Sequence, residues 1–157
     1  MTAAAISTPD ECFATDLWSP LAEPVRVLLV EDEPEVARLT ARRLERSPHA
    51  YFEVSHASDL DTALRWIEER GGAWDALLLD LALPDSEPRG TLAGACALAR
   101  HFPIVVLTGH DDDALARCAL GGGARDYLLK QRDGASAIAG AILLALERHR
   151  RERQLRH

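Results

Sequence analysis

Lysine is almost missing from this chain. Of 18 basic residues among 157, 17 are arginine and one, Lys130, is lysine. Arginine fills the ordinary surface role everywhere else, so solubility does not explain the exception. A compact ammonium on a flexible stem reaches into a tight anionic site as a point charge, which a planar guanidinium does not. A lysine closing the apolar run in "ARDYLLKQ", residues 124–131, therefore calls for an anion that the rest of the fold must supply.

Other absences narrow the class. Cys12, Cys96 and Cys118 are odd in number and have no CxxC spacing. That excludes a disulfide framework and a zinc knuckle, and it predicts small buried hydrophobes in a reducing compartment. No apolar run approaches the roughly 18 residues of a spanning helix. No basic flank followed by an apolar stretch opens the chain, so a signal peptide is excluded too. The expectation is a cytoplasmic protein with no membrane partner. GxxxxGK[ST] and GxGxxG are missing, which leaves nucleotide enzymes poorly supported, and the histidines lack HExxH spacing. The net charge of −7 argues against direct nucleic-acid binding. The charge is uneven: residues 147–157 carry five arginines against two glutamates, leaving −10 on the first 146 residues.

What is present is an alternation. Residues 1–24 read as a mostly irregular extension. "VRVLLV" from Val25 has strand length, and "PEVARLTARRLERS" follows as a helix with Pro34 in its first turn. "YFEVSHA" predicts a second strand. Ser58-Asp59-Leu60-Asp61 reads as a capping box, with Leu60, Ala63, Leu64 and Ile67 forming a helical stripe. Gly71-Gly72 closes that helix. "WDALLLD" and "PIVVLTG" are buried strands. "DDDALARCAL" is a helix with an acidic first turn, stopped by Gly121-Gly122-Gly123. "RDYLLK" is a fifth strand and "ASAIAGAILLALERHRRERQ" a long last helix. Trp66 and Trp74 read as packing residues, Asp85 and Ser86 as loop solvation, and Arg148 to Arg156 as a solvated helix end.

Five apolar strands alternating with helices predict a parallel sheet covered on both faces. Ligands of such sheets bind at the carboxyl ends of the strands. Those ends bear Glu31-Asp32, Asp80, Thr108 and Lys130. Each alone is equally well a chain leaving the core. Together they bring an acid pair, an acid, a hydroxyl and an ammonium to one edge. Carboxylates held about 4 Å apart at an effective dielectric near 20 repel by about 4 kcal/mol per pair. Lys130 offsets one charge, and a divalent cation suited to oxygen ligands, Mg²⁺, can offset the rest. An ionised carboxylate beside such a cation is a candidate nucleophile toward phosphorus.

The stretches "LLVEDEPEVARLTARRLE", "DALLLDLALPD", "IVVLTGHDD" and "GARDYLLKQ" make the chain resemble the receiver domain of two-component response regulators, from about Val25 to Arg150. The resemblance implies an α/β flavodoxin-like (βα)5 three-layer sandwich with parallel sheet order 2-1-3-4-5. It implies a receiver over 25–146, with 147–157 a basic continuation of the last helix. Asp80 is then the phosphoryl acceptor, supplied by a sensor histidine kinase or phosphotransfer protein. Glu31 and Asp32 serve Mg²⁺, with Asp32 a direct ligand and the backbone carbonyl of Ala82 another. Lys130 and Thr108 contact the phosphoryl group, and Thr108 and Tyr127 form a switch pair. The switch acts on the face of the fourth helix, fifth strand and fifth helix, through which, or through the last helix, a homodimer can form. Such a protein is not an enzyme beyond self-catalysed phosphorylation and dephosphorylation.

Taken by itself, Tyr127 is equally a half-buried strand aromatic. The sequence also departs from the family pattern. Gln131 stands where a proline usually follows the lysine, Glu31 replaces the commoner aspartate, and "LPDSEPRG" is longer than usual. Ala82 is too small to orient a water, whereas His110 has the reach. Two competing readings are a receiver-like interaction module that is never phosphorylated and an aspartyl-phosphate phosphohydrolase. The latter needs a second aspartate two residues after the nucleophile, where this chain has Ala82.

Overall fold

The apolar runs become strands because both of their faces are covered. In the computed structural model, which describes residues 23–81, 93–97, 102–109, 113–130 and 134–155, β1 is Val25–Val30, β2 Phe52–Ala57, β3 Ala76–Asp80, β4 Ile104–Thr108 and β5 Asp126–Leu129. All pairings are parallel and the sheet order is β2-β1-β3-β4-β5. Every residue of β3 and β4 is buried, as a parallel sheet with helices on both sides requires.

Alternation sorts the core into two layers. Leu28, Val30, Leu77, Leu79, Ile104 and Val106 face one side. Two helices cover them, α2 (Leu60–Arg70) and α4 (Asp113–Gly121), with a helical stretch at 93–96, α3, between the two in sequence. Val27, Leu29, Leu78, Val105 and Leu107 face the other side, under α1 (Pro34–Glu45) and α5 (Ala135–Leu155). The result is the expected three-layer flavodoxin-like fold.

Local details both follow and correct the sequence reading. Pro34 opens α1, where its missing N–H has no partner to lose. The N-cap of α2 is Asp59 rather than Ser58: the Thr62 N–H donates to Asp59 Oδ1 at 2.7 Å. The cap therefore sits one residue later than the Ser58–Asp61 box. The same N–H holds the Asp59 carboxyl below its usual range. At the end of α4 the Ala124 N–H reaches the Ala119 carbonyl and the Gly123 N–H the Leu120 carbonyl. This is a Schellman closure with Gly123 at φ 109°, a conformation open to glycine.

Trp66 and Trp74 stack at 6.2 Å between centroids, with the Arg70 guanidinium over both rings. Their packing role matches expectation. Cys96 is half-buried and burial pushes its thiol up, but Cys118 is exposed and not the buried hydrophobe expected. Among the described residues no helix is long and apolar enough to cross a membrane. Residues 1–22, Cys12 among them, and residues 82–92 lie outside the described residues.

Replacing Asp59 with alanine should lower unfolding stability by about 1 kcal/mol, as loss of a cap does, while Ser58→Ala should change it by less than about half of that. Urea unfolding of both variants checks the corrected cap position.

Candidate functional site

The register places the strand ends side by side. Val30 pairs with Leu79, Asp80 with Leu107 and Thr108 with Leu129. The residues next in line are Glu31 after β1, Asp80 closing β3, Thr108 closing β4 and Lys130 after β5. All therefore meet at the carboxyl edge of the sheet, where order reverses between β1 and β3.

Lys130 joins the edge across three strands. Its Nζ donates to Asp80 Oδ2 at 2.8 Å and to Glu31 Oε1 at 2.8 Å. Its backbone N–H donates to the Thr108 carbonyl at 2.8 Å, which sets where the stem starts. The carboxylates are almost sealed, with side chains 3% exposed at Glu31 and 2% at Asp80, against 27% at the lysine. The single lysine thus sits on buried anions. Two acceptors diverging from one small donor suit an ammonium better than a planar fork.

One ammonium does not balance the acids. Carboxylate atoms of Glu31, Asp32 and Asp80 all lie within 4.8 Å of one another. Burial, then the Asp80 carboxyl, pushes Glu31 up to about 7, with Lys130 pulling the other way. Burial acts to lower Lys130, but its bonds and charges with Asp80 and Glu31 outweigh that and leave it raised. A carboxyl that resists ionising beside two others marks a cluster short of positive charge. Three hard oxygen donors with one half-buried member fit a divalent cation that keeps part of its water shell. The second Glu31 oxygen, Oε2, accepts from the Glu33 N–H at 3.3 Å at the start of α1, the positive end of that helix.

The structure brings together Glu31, Asp32, Asp80 and Lys130, with Thr108 buried at the same edge. Tyr127 pairs in register with Val106, and its half-buried ring packs on the layer beneath α2, α3 and α4. Thr108, two residues past Val106, lies on that same face of the sheet. Ala82, His110, Asp85, Ser86, Asp111, Asp112 and Gln131 lie outside the described residues. One polar group at this edge was passed over in the sequence: His56, whose Nε2 lies 2.6 Å from the Glu31 carbonyl oxygen. Its position at the end of the second strand was the available signal, the same one that marked the other four.

Glu31 also sets a pH dependence. Its carboxyl is raised, so its contribution to stability is full below the ordinary glutamate range and is lost as pH rises through about 7. A cation needs the ionised form. Mg²⁺ affinity should therefore rise by up to about tenfold per pH unit below 7 and level off above it. Calorimetric titration in buffers of different ionisation enthalpy should show close to one proton released per Mg²⁺ near about pH 6 and almost none near about pH 8.5. A proton count that does not change across that range contradicts a raised carboxyl.

Comparison with known proteins agrees with this geometry. The family model of the response regulator receiver domain matches residues 27–140. The methanogenesis regulatory protein FilR1 of Methanothrix harundinacea (strain 6Ac) is 37% identical over 126 residues, 79% of this chain and 28% of that protein. The chain thus spans less than a third of this relative's length. A response regulator receiver domain protein from Clostridium thermocellum superposes with a TM-score of 0.70 at 27% identity, covering 80% of this chain and 97% of the other. A response regulator from Burkholderia pseudomallei, solved with a phosphorylated aspartic acid, calcium ion and citrate, superposes at 0.62 and 28% identity, covering 85% and 75%. With the matched fold and an acidic edge closed by a lysine, the chain belongs to the response regulator receiver domain family of two-component signal transduction.

Proposed function

We propose that Asp80 accepts a phosphoryl group from the phosphohistidine of a sensor kinase or phosphotransfer protein. The observation that carries this reading is the Lys130 ammonium 2.8 Å from both Asp80 and Glu31. An Asp80 oxygen attacks phosphorus, the P–O bond forms, and the P–N bond to the donor imidazole breaks. The imidazole nitrogen keeps the electron pair and takes up a proton. Among the described carboxylates at the edge, Asp80 is the one that closes a central strand, and it faces the ammonium. The related regulator carrying a phosphorylated aspartic acid and a calcium ion supports the choice.

Asp32, Asp80, Glu31 and the Ala82 carbonyl would hold Mg²⁺, which when bound neutralises charge on the phosphoryl oxygens. Lys130 keeps its place beside the acceptor and meets the transferred oxygens as a point charge. Thr108 donates its hydroxyl to one of them. Tyr127, on the same face of the sheet, follows it inward and repacks the face of α4, β5 and α5, which a partner or a second copy reads. Moving such a switch from 1:99 to 99:1 takes about 5.5 kcal/mol of differential stabilisation. A few charge-assisted hydrogen bonds to a phosphoryl group are of that order. The protein is a phosphoacceptor rather than an enzyme and works in the cytoplasm, without direct contact with nucleic acid or membrane. Residues 1–24 form an extension, 25–146 the receiver, and 147–157 a basic continuation of α5.

Asp80→Asn should abolish labelling by a small acyl phosphate donor with Mg²⁺, as read by intact mass. A phosphoryl adduct on that variant in wild-type amount defeats the assignment. Thr108→Ala should still take up the phosphoryl group yet lose the response at the switch. Ring resonances of Tyr127 that move on adding beryllofluoride and Mg²⁺ to the wild type should stay in place in the variant. Equal movement in both removes Thr108 from the switch.

A further inference from the structure

Each strand reaching the acidic edge contributes a polar group, and β2 contributes His56. This residue is the penultimate one of β2 and pairs in register with Leu29. Its Nε2 lies 2.6 Å from the Glu31 carbonyl oxygen. A carbonyl only accepts, so Nε2 carries the hydrogen and the ring donates. The contact falls where the ladder stops. The β1–β2 register ends with Val30 and Ala57, and one further bond runs from the Glu31 N–H to the Ala57 carbonyl at 3.0 Å. The chain then turns through Ser58 and Asp59 into α2, and the imidazole takes the next carbonyl of the β1 segment.

That carbonyl belongs to the peptide joining Glu31 to Asp32. A peptide is planar, so fixing its oxygen fixes the plane from which the next residue departs. The Glu31 carboxylate is held at one oxygen by Lys130 at 2.8 Å and at the other by the Glu33 N–H at 3.3 Å. The ring acts one bond further along, on the peptide that aims Asp32 toward the cluster it shares with Asp80. We infer that His56 is a positioning residue of the cation site: through the Glu31 carbonyl it sets the direction in which Asp32 is presented. The inference rests on the proposed role of Asp32 as a metal ligand.

The test is calorimetric titration of the full chain with Mg²⁺, using wild type, His56→Phe, His56→Gln and Asp32→Asn. Phenylalanine keeps the ring volume and removes the donor, whereas the glutamine amide places an N–H at the reach of Nε2. Loss of an outer donor weakens metal binding about 10- to 100-fold, so His56→Phe should lose about tenfold while His56→Gln stays within about threefold of wild type. Equal Mg²⁺ affinity in wild type and His56→Phe overturns the inference. So does the reverse order of the two variants, which a space-filling ring would produce. If Asp32→Asn binds Mg²⁺ as the wild type does, the metal-site reading itself fails. That result is distinct from one in which Asp32→Asn loses binding and His56→Phe does not. A second measurement needs no variant: the nitrogen-15 imidazole spectrum of the wild type should show the hydrogen on Nε2. A hydrogen on Nδ1 alone also overturns the inference.

Discussion

The arrangement turns on one ammonium held among buried carboxylates. Two carboxyl groups out of contact with water are strongly unfavourable unless a cation meets them. Lys130 does so at both, from a position 50 residues beyond one acid and 99 beyond the other. The contact is possible because β5 ends at the Thr108–Leu129 pair, which leaves Lys130 one step beyond it. It is also insufficient, since Glu31 still resists ionising. A site left short of positive charge is one that a divalent ion completes and that a transferred phosphoryl group perturbs. On the proposed reading, the same imbalance serves both metal binding and phosphoryl transfer.

The sheet makes this imbalance tolerable. Asp80 and Thr108 belong to strands whose every residue is buried, with helices on either side. Their backbones cannot relax to carry the polar ends apart without opening both core layers. The charges are thus set by the two layers of apolar side chains rather than by contacts among themselves. At the opposite, amino-terminal edge an Arg26–Asp75 pair joins β1 to the entry of β3. There the guanidinium finds a bidentate partner half in solvent, the setting in which arginine is the better choice.

Much of this was legible in the residues. Continuous aliphatic runs of strand length between helical stripes required a parallel sheet with both faces covered, and the first polar residue after each run marked the edge. Lysine singled out by an arginine-only background pointed to the anion. What escaped depended on distances between segments. Asp59 outcompetes Ser58 as the α2 cap because the first turn begins one residue later, a shift that pattern alone does not resolve. Cys118 lies on the outer side of α4, and a lone thiol in a nine-residue helix gives no face of its own. His56 stands at the end of β2, which marked it for the edge, but it contacts a backbone oxygen, which has no residue identity to read, so only the β1–β2 register reveals its partner.

At the far end of the molecule, α5 continues to Leu155, and its Glu152 takes the Arg125 guanidinium at both carboxylate oxygens. Arg125 stands at the entry to β5, and its N–H is anchored on the Ile104 carbonyl. The tip of the helix is therefore clasped to the entry of the strand that bears Tyr127 and leads into Lys130. A displacement of that strand carries the helix tip with it, like a pointer fixed to its spindle. Because Glu152 remains partly in solvent, the clasp is open to screening by salt to a degree that the buried edge is not.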